Sequence, residues 1–260
     1  MSSFECGRFD EPEVLDLLID DSEEDVEVIP AESVHAQRSA PVVIVYPAFD
    51  EIPRLLLVDL LQDSAKVVVG ALDRLIDLIK LRDKNTLAVA QARRKDALSI
   101  GAIAVIILLL PKWQSDEVHW RALRLLTMLI FENEEAQRAL ARAGGVEACV
   151  NALRVYPKSL PVQVSACAAL AIMFQLDDAK RRFVFELDGI RLVAEAMGNF
   201  HQSAYLQGNC CELLRSLARH EEYRDPLSKA GVVLAVSGAL EHPDDRVKDL
   251  AKEFMKTMFP

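Results

Sequence analysis

Aromatic residues are scarce: Phe, Trp and Tyr make up 6% of these 260 residues, although 51% are hydrophobic. A core of that composition is built from Leu, Ala, Val and Ile, which favours packed helices over a sheet sandwich. Ten glycines are too few for the many turns of an all-β chain. The cysteines are five (Cys6, Cys149, Cys167, Cys210 and Cys211), an odd number without a Cys-x-x-Cys or paired spacing. That argues against a disulfide framework or zinc site and points to a reducing compartment, the cytosol or nucleus.

Other absences narrow the function. The longest apolar run, IGAIAVIILLL at residues 100–110, is too short to span a bilayer and ends at Pro111 and Lys112. It reads as a buried helix, and no membrane insertion is expected. The start, MSSFECGRFDEPE, lacks the basic and apolar regions of a signal peptide. There is no Gly-rich phosphate loop and no His-Glu-x-x-His. The histidines (His35, His119, His201, His220 and His242) are scattered, and His119 and His201 read as surface or boundary residues without metal-ligand spacing. Nothing places a base beside a Ser, Thr or Cys. No catalytic, metal or cofactor site is therefore expected, and the chain does not read as an enzyme.

The charge is uneven. Residues 1–40 carry twelve Asp or Glu against Arg8 and Arg38, which accounts for the whole net charge of −10. Residues 41–260 hold 28 acidic and 28 basic residues. A neutral body without a long basic run argues against nucleic-acid binding through phosphates. Basic clusters at residues 93–95 and 180–182 read as solvated faces, with a patch for an anionic partner as the alternative.

Residues 1–40 are rich in Glu, Asp, Ser and Pro and predict a disordered acidic tail, since so little apolar surface cannot offset the entropy of ordering. PVVIVYP, within residues 41–48, predicts an extended linker. From residue 49 to 260 helical periodicity dominates, and three landmarks recur in one order. A small-residue turn precedes an aliphatic in IGAI (Ile103), AGGV (Val146), LDGI (Ile190) and KAGV (Val232), 43, 44 and 42 residues apart. A helix and a loop follow. An aliphatic-polar pair then opens a long helix at Val118, Val162, Leu206 and Val247. The spacing predicts repeats at about 86–132, 133–176, 177–220 and 221–260, after a degenerate unit at about 49–85 that lacks the glycine turn. Each unit cannot bury its apolar face alone, so neighbours must stack.

AGGVEACVNAL with LPVQVSACAALAIM, and LDGIRLVAEAM with YLQGNCCELLRSLA, resemble armadillo repeats. The family pattern is a glycine-aliphatic turn, an apolar second helix, and a Val-Gln-x-x-Ala-x-x-Ala-Leu third helix. The resemblance implies an all-α, armadillo-type solenoid, a right-handed superhelix whose third helices line a concave peptide groove. In nuclear-import receptors of this family a tryptophan, with an asparagine four residues later, lines that groove. The matching positions here are Arg124 and Met128, Ala168 and Ile172, Glu212 and Ser216, and Glu253 and Thr257. None carries the pair, and Trp120 lies one turn away, so a nuclear-localisation-signal receptor is not expected. The candidate groove is Arg121, Arg124, Met128, Ala168, Ile172, Asn209, Glu212 and Ser216, basic at one end and acidic at the other. An acidic segment over the arginines would be oriented by those charges. Ordinary solvated helix positions are the alternative.

The tail holds two aliphatic clusters within acid: Val14, Leu15, Leu17 and Leu18 before DDSEED, and Val26, Val28 and Ile29 after it. They resemble a SUMO-interacting motif, in which an extended apolar strand adds to a sheet edge and flanking carboxylates meet a basic rim. Ser22, with an acid three residues later, resembles an acidic-directed kinase site. A tail folded onto its own groove and an inert leader are the alternatives. The function expected is a non-catalytic adaptor with a protein or peptide partner in the groove and SUMO as a candidate for the tail. A structural subunit of a cytoskeletal or ciliary assembly, or a regulatory subunit of an enzyme complex, is the alternative.

Overall fold

The computed structural model describes residues 52, 59–80, 87–174 and 184–260. The tail motif, Ser22 and the cluster at 180–182 lie outside the described residues. Residues 52–260 form one compact unit, and its described residues contain helices and no strand.

After a 3-10 turn at Asp59–Leu61, α1 spans Ala65–Ile79, α2 Leu87–Ser99 and α3 Ala102–Leu109. Then come α4 (Asp116–Ile130), α5 (Glu134–Arg142), α6 (Gly145–Val155) and α7 (Leu160–Met173). The chain continues with α8 (Gly189–Asn199), α9 (Ala204–Ala218), α10 (Glu221–Lys229), α11 (Val232–Ala239) and α12 (Asp245–Met258). The long helices α1, α4, α7, α9 and α12 pack side by side in that order. They are the third helices of successive units. Each of α3, α6, α8 and α11 packs on the third helix that follows it, and α6, α8 and α11 form a second row.

Small side chains hold the third helices close. Ala122, Ala166, Cys210 and Ala251 sit at the same point of α4, α7, α9 and α12, and each is fully buried. A thiol at 210 substitutes for a methyl because an uncharged cysteine packs as a small hydrophobe. Val118, Val162, Leu206 and Val247, one turn earlier, are also buried in every unit. The apolar run at 100–110 is buried at Ile103, Ile106, Leu109 and Leu110, but Leu108 is 72% exposed. A short helix on one side of a stack has one buried face however apolar its sequence is.

The turns before α3, α6 and α11 place Gly101, Gly144 and Gly231 in the left-handed region, with φ of 85°, 88° and 79°. Asp188 takes that role before α8, with φ of 61°. The left-handed residues recur at 101, 144, 188 and 231, so the last turn sits one residue later than alignment on Val232 places it. Glycine at 145 answers a second need. A Cβ there would lie 2.5 Å from Leu140 Cγ and 2.8 Å from the Leu140 carbonyl oxygen, so only glycine lets α6 begin this close to α5.

The recurring glutamine of the third helix is a buried cap. Gln163 Nε2 donates to the carbonyls of Leu153 (3.0 Å) and Tyr156 (2.9 Å), at the end of α6. Gln207 Nε2 does the same for Met197 (2.9 Å) and Phe200 (3.2 Å), at the end of α8. Helix C-termini leave carbonyls without intrahelical donors, and these side chains supply them. His119 fills the same position in α4. It is buried rather than superficial, with 6% exposure; Nδ1 lies 2.8 Å from the Ser115 carbonyl and the ring 4.6 Å from that of Tyr156. His242 is buried too, at 5%, whereas His201 is exposed. Residue type alone cannot separate these cases, since a histidine that finds a backbone partner is readily buried.

Two outcomes follow from this packing. Ala166→Leu should lower stability in urea denaturation by about 1–3 kcal/mol, as extra methylenes in a closed seam do; an unchanged midpoint would mean the seam has room. Burial pushes the His119 imidazolium to a lower pKa, outweighing the Ser115 carbonyl and Asp116, which favour the charged form. The unfolded state then binds the proton more readily, so this stabilisation is present above about pH 6.5 and is lost as pH falls. The urea midpoint should drop from neutral to mildly acidic pH, and His119→Gln should flatten the drop; an identical slope in the variant would assign it to other groups.

Candidate functional site

On the three inner third helices, α4, α7 and α9, the accessible residues fall on one stripe per helix. On α7 these are Leu160, Pro161, Val164, Ala171 and Ile172, with Ala168 at the centre of the stripe and 5% exposed. The spacing follows the helical repeat, so these residues share one face. On α4 the stripe is Glu117, Trp120, Arg121 and Arg124, ending on buried Met128. On α9 it is Tyr205, Glu212, Arg215 and Ser216, with Asn209 on the same face but only 8% exposed. On α12, the last helix of the row, the same face continues through Arg246, Asp249, Glu253 and Thr257, beside further accessible residues such as Lys248 and Lys252.

All eight candidate groove residues lie on this stripe, but its electrostatics differ from a basic end facing an acidic one. Arg121 Nε donates to Asp73 Oδ1 of α1 at 2.6 Å, and the guanidinium lies 4.3 Å from the Trp120 ring centre. Its Nη1 also donates to the Glu117 carbonyl at 3.2 Å. With its side chain 17% exposed, Arg121 is held within the stack. Arg124 is likewise engaged. At the other end Glu212 accepts from Arg215 Nη2 at 2.7 Å, and Glu253 accepts from Lys256 Nζ at 2.7 Å. The Lys256 ammonium holds the Glu253 carboxyl below its usual range. Ser216 Oγ donates to the Leu213 carbonyl at 2.7 Å. Asp73, Glu212 and Glu253 each have a cation beside them, Glu117 forms no ion pair among the described residues, and the centre of the stripe, on α7, is apolar.

Val164 was not singled out by comparison with the Trp and Asn positions, because that looks at two columns only. The signal was present: counting back four residues from Ala168 places Val164 on the same face. Asp73 lies 48 residues from Arg121, and no local pattern joins them.

The stripe has little to react with. The four described cysteines are buried and unpaired by disulfides. Burial pushes the Cys149 and Cys210 thiols well up, with contact from Cys167 the larger cause at Cys210, and pushes Cys211 up to about 12. Such thiols stay protonated and are poor nucleophiles. Among the described residues no group of three or more His, Cys, Asp or Glu could hold a metal ion. No helix among them is long and apolar enough to cross a membrane. The cluster at 93–95 lies within α2, where Arg93 Nη1 donates to the Leu78 carbonyl at 2.8 Å.

No protein-family model and no curated protein matches the sequence. Solved structures do. Computationally designed armadillo repeat proteins for modular peptide recognition are similar over 79% of this chain and 81% of theirs, at 18% identity and a TM-score of 0.66. The armadillo repeats only protein of Plasmodium falciparum is similar over 80% and 92%, at 13% identity and a TM-score of 0.64. A chain from work on a phosphorylation switch between cadherin and beta-catenin is similar over 82% of this chain but 38% of its own, at 16% identity and a TM-score of 0.70. The three-helix units, their left-handed turns and these likenesses define an armadillo-type fold.

Proposed function

We propose that this protein is a non-catalytic interaction scaffold that binds an extended segment of a partner protein along the third-helix stripe. The observation that carries this is the apolar centre of the stripe: Val164, Ala171 and Ile172 stay partly accessible on a row whose flanks hold the ion pairs of Arg121 with Asp73 and Arg215 with Glu212. Stacked repeats place the same face of successive helices side by side, which suits an extended ligand. Two of the similar folds support the reading, one designed for peptide recognition and one from work on the interaction between cadherin and beta-catenin.

One observation favours a second reading, a structural subunit held by its second helices. Leu108 on α3 is 72% exposed and Leu234 on α11 is 81% exposed. A photo-crosslinking amino acid placed in the cell at 164 or 172, or at 108 or 234, separates the two. A scaffold of the kind proposed should give one discrete adduct from 164 and 172, lost with Ile172→Asp in the 164-labelled protein. Adducts from 108 and 234 alone would transfer the interface to the second helices.

The acidic segment 1–40 is the proposed second binding element. Its clusters Val14, Leu15, Leu17 and Leu18, and Val26, Val28 and Ile29, suit strand addition to a SUMO-type sheet edge, and phosphate on Ser22 would add about two negative charges to the flank. Titrating SUMO into the isotope-labelled full chain should shift the amide signals of residues 14–29 at micromolar to millimolar concentration. Unmoved signals would remove SUMO as the tail's partner and leave the alternatives of self-docking or an inert leader.

A further inference from the structure

The groove reading leaves open which peptide chemistry the stripe accepts, and the side-chain pairing restricts it. A ligand rich in Lys or Arg binds such a row well only when carboxylates face it without cations of their own. Glu117, at the α4 end, is the one acid of the stripe with no ion pair among the described residues; Glu212 is paired with Arg215 at 2.7 Å, with both side chains about four-fifths buried. Glu253 is paired with Lys256, and Asp249 with Lys252 at 2.8 Å. A cationic ligand would meet Arg215 and the lysines along with the acids. An acidic ligand meets the same difficulty at the other end, where Asp73 already occupies Arg121 at 2.6 Å.

Two features remain for a ligand to use. One is the aliphatic centre, Val164 and Ile172 flanking Ala168. The other is Asn209, which shares the face of Tyr205, Glu212 and Ser216 and lies one helix along from Ala168. Its Nδ2 is buried without an acceptor. A buried donor left unmade is costly, and an arriving carbonyl oxygen would relieve it.

We infer that the stripe selects an extended segment bearing branched aliphatic side chains and no net charge, and discriminates against Lys/Arg-rich or Asp/Glu-rich segments. This rests on the groove reading above. The aliphatic side chains contact Val164 and Ile172, while Asn209 turns its amide onto a main-chain carbonyl of the ligand. Binding of this kind depends little on ionic strength, because the ligand brings no charge to be screened.

The test is selection of random twelve-residue displayed peptides on the full chain, followed by fluorescence anisotropy of the winning sequences and of (Lys-Arg)4 as a charged probe. Winners should be rich in Val, Ile and Leu, poor in charge of either sign, and bind alike in low and high salt. Ile172→Asp should weaken them by about tenfold or more, because a carboxylate is placed against apolar contacts. Val164→Glu is the second such variant, with circular dichroism showing that each remains folded. Asn209→Leu should weaken them by about tenfold, and Leu234→Asp should have no effect. Winners that are strongly basic or acidic, yet lost on Ile172→Asp, would overturn the aliphatic selectivity and leave the groove reading standing. Winners indifferent to Ile172→Asp and Val164→Glu, or no winners at all, would overturn both. Binding of (Lys-Arg)4 as tight as that of the winners would also overturn the selectivity.

Discussion

How closely one third helix can approach the next limits everything else in this chain. From α4 through α7 and α9 to α12 the row carries a column of alanines and one cysteine, Ala122, Ala166, Cys210 and Ala251, with no exposed atom among them. Small residues at a helix contact bring the backbones together, and the flanking Val118, Val162, Leu206 and Val247 then fill the seam. Because the contact repeats in each unit, the opposite faces of the helices also repeat. A stripe of accessible residues is the consequence of that regularity.

The second helices are held to the row by a different device. Gln163 and Gln207 close the ends of α6 and α8 with two hydrogen bonds each, and the left-handed turns return the chain for the next pass. These polar contacts are specific where the alanine column is not. A seam of methyl groups alone tolerates slippage, whereas a buried amide must find its carbonyls or remain unpaired. Register is therefore set at the edges of the core, while its cohesion comes from the centre.

Much of the fold was legible because its determinants are local. A glycine turn, an aliphatic-polar pair and a small-residue helix recur at nearly constant spacing, and each has one structural meaning. What was not legible depends on partners far along the chain. Arg121 reads as a free cation until Asp73, 48 residues earlier, is placed against it. His119 reads as a boundary residue until the Tyr156 ring and the Ser115 carbonyl enclose it. Leu108 reads as core because the run around it is apolar, and only the stack shows that α3 has one buried side. The last turn was misaligned by one residue because Val232 resembles its counterparts, whereas the position is defined by backbone angle at Gly231. The stripe lies on the expected column, but its charge does not follow from single residues: Arg121 is taken by Asp73 of another helix, whereas Glu212 with Arg215 and Glu253 with Lys256 are pairs three residues apart that the sequence spacing already displays.

The central claim is that the interaction surface is the third-helix stripe and that its apolar middle makes the contact. Methyl NMR on the full chain, with Ile, Leu, Val and Met labelled, tests it in one titration with a partner segment that binds. The account predicts shifts at Val164, Ile172 and Met128, with Leu108 and Leu234 unmoved. Shifts at Leu108 and Leu234 with a silent Ile172 would contradict it.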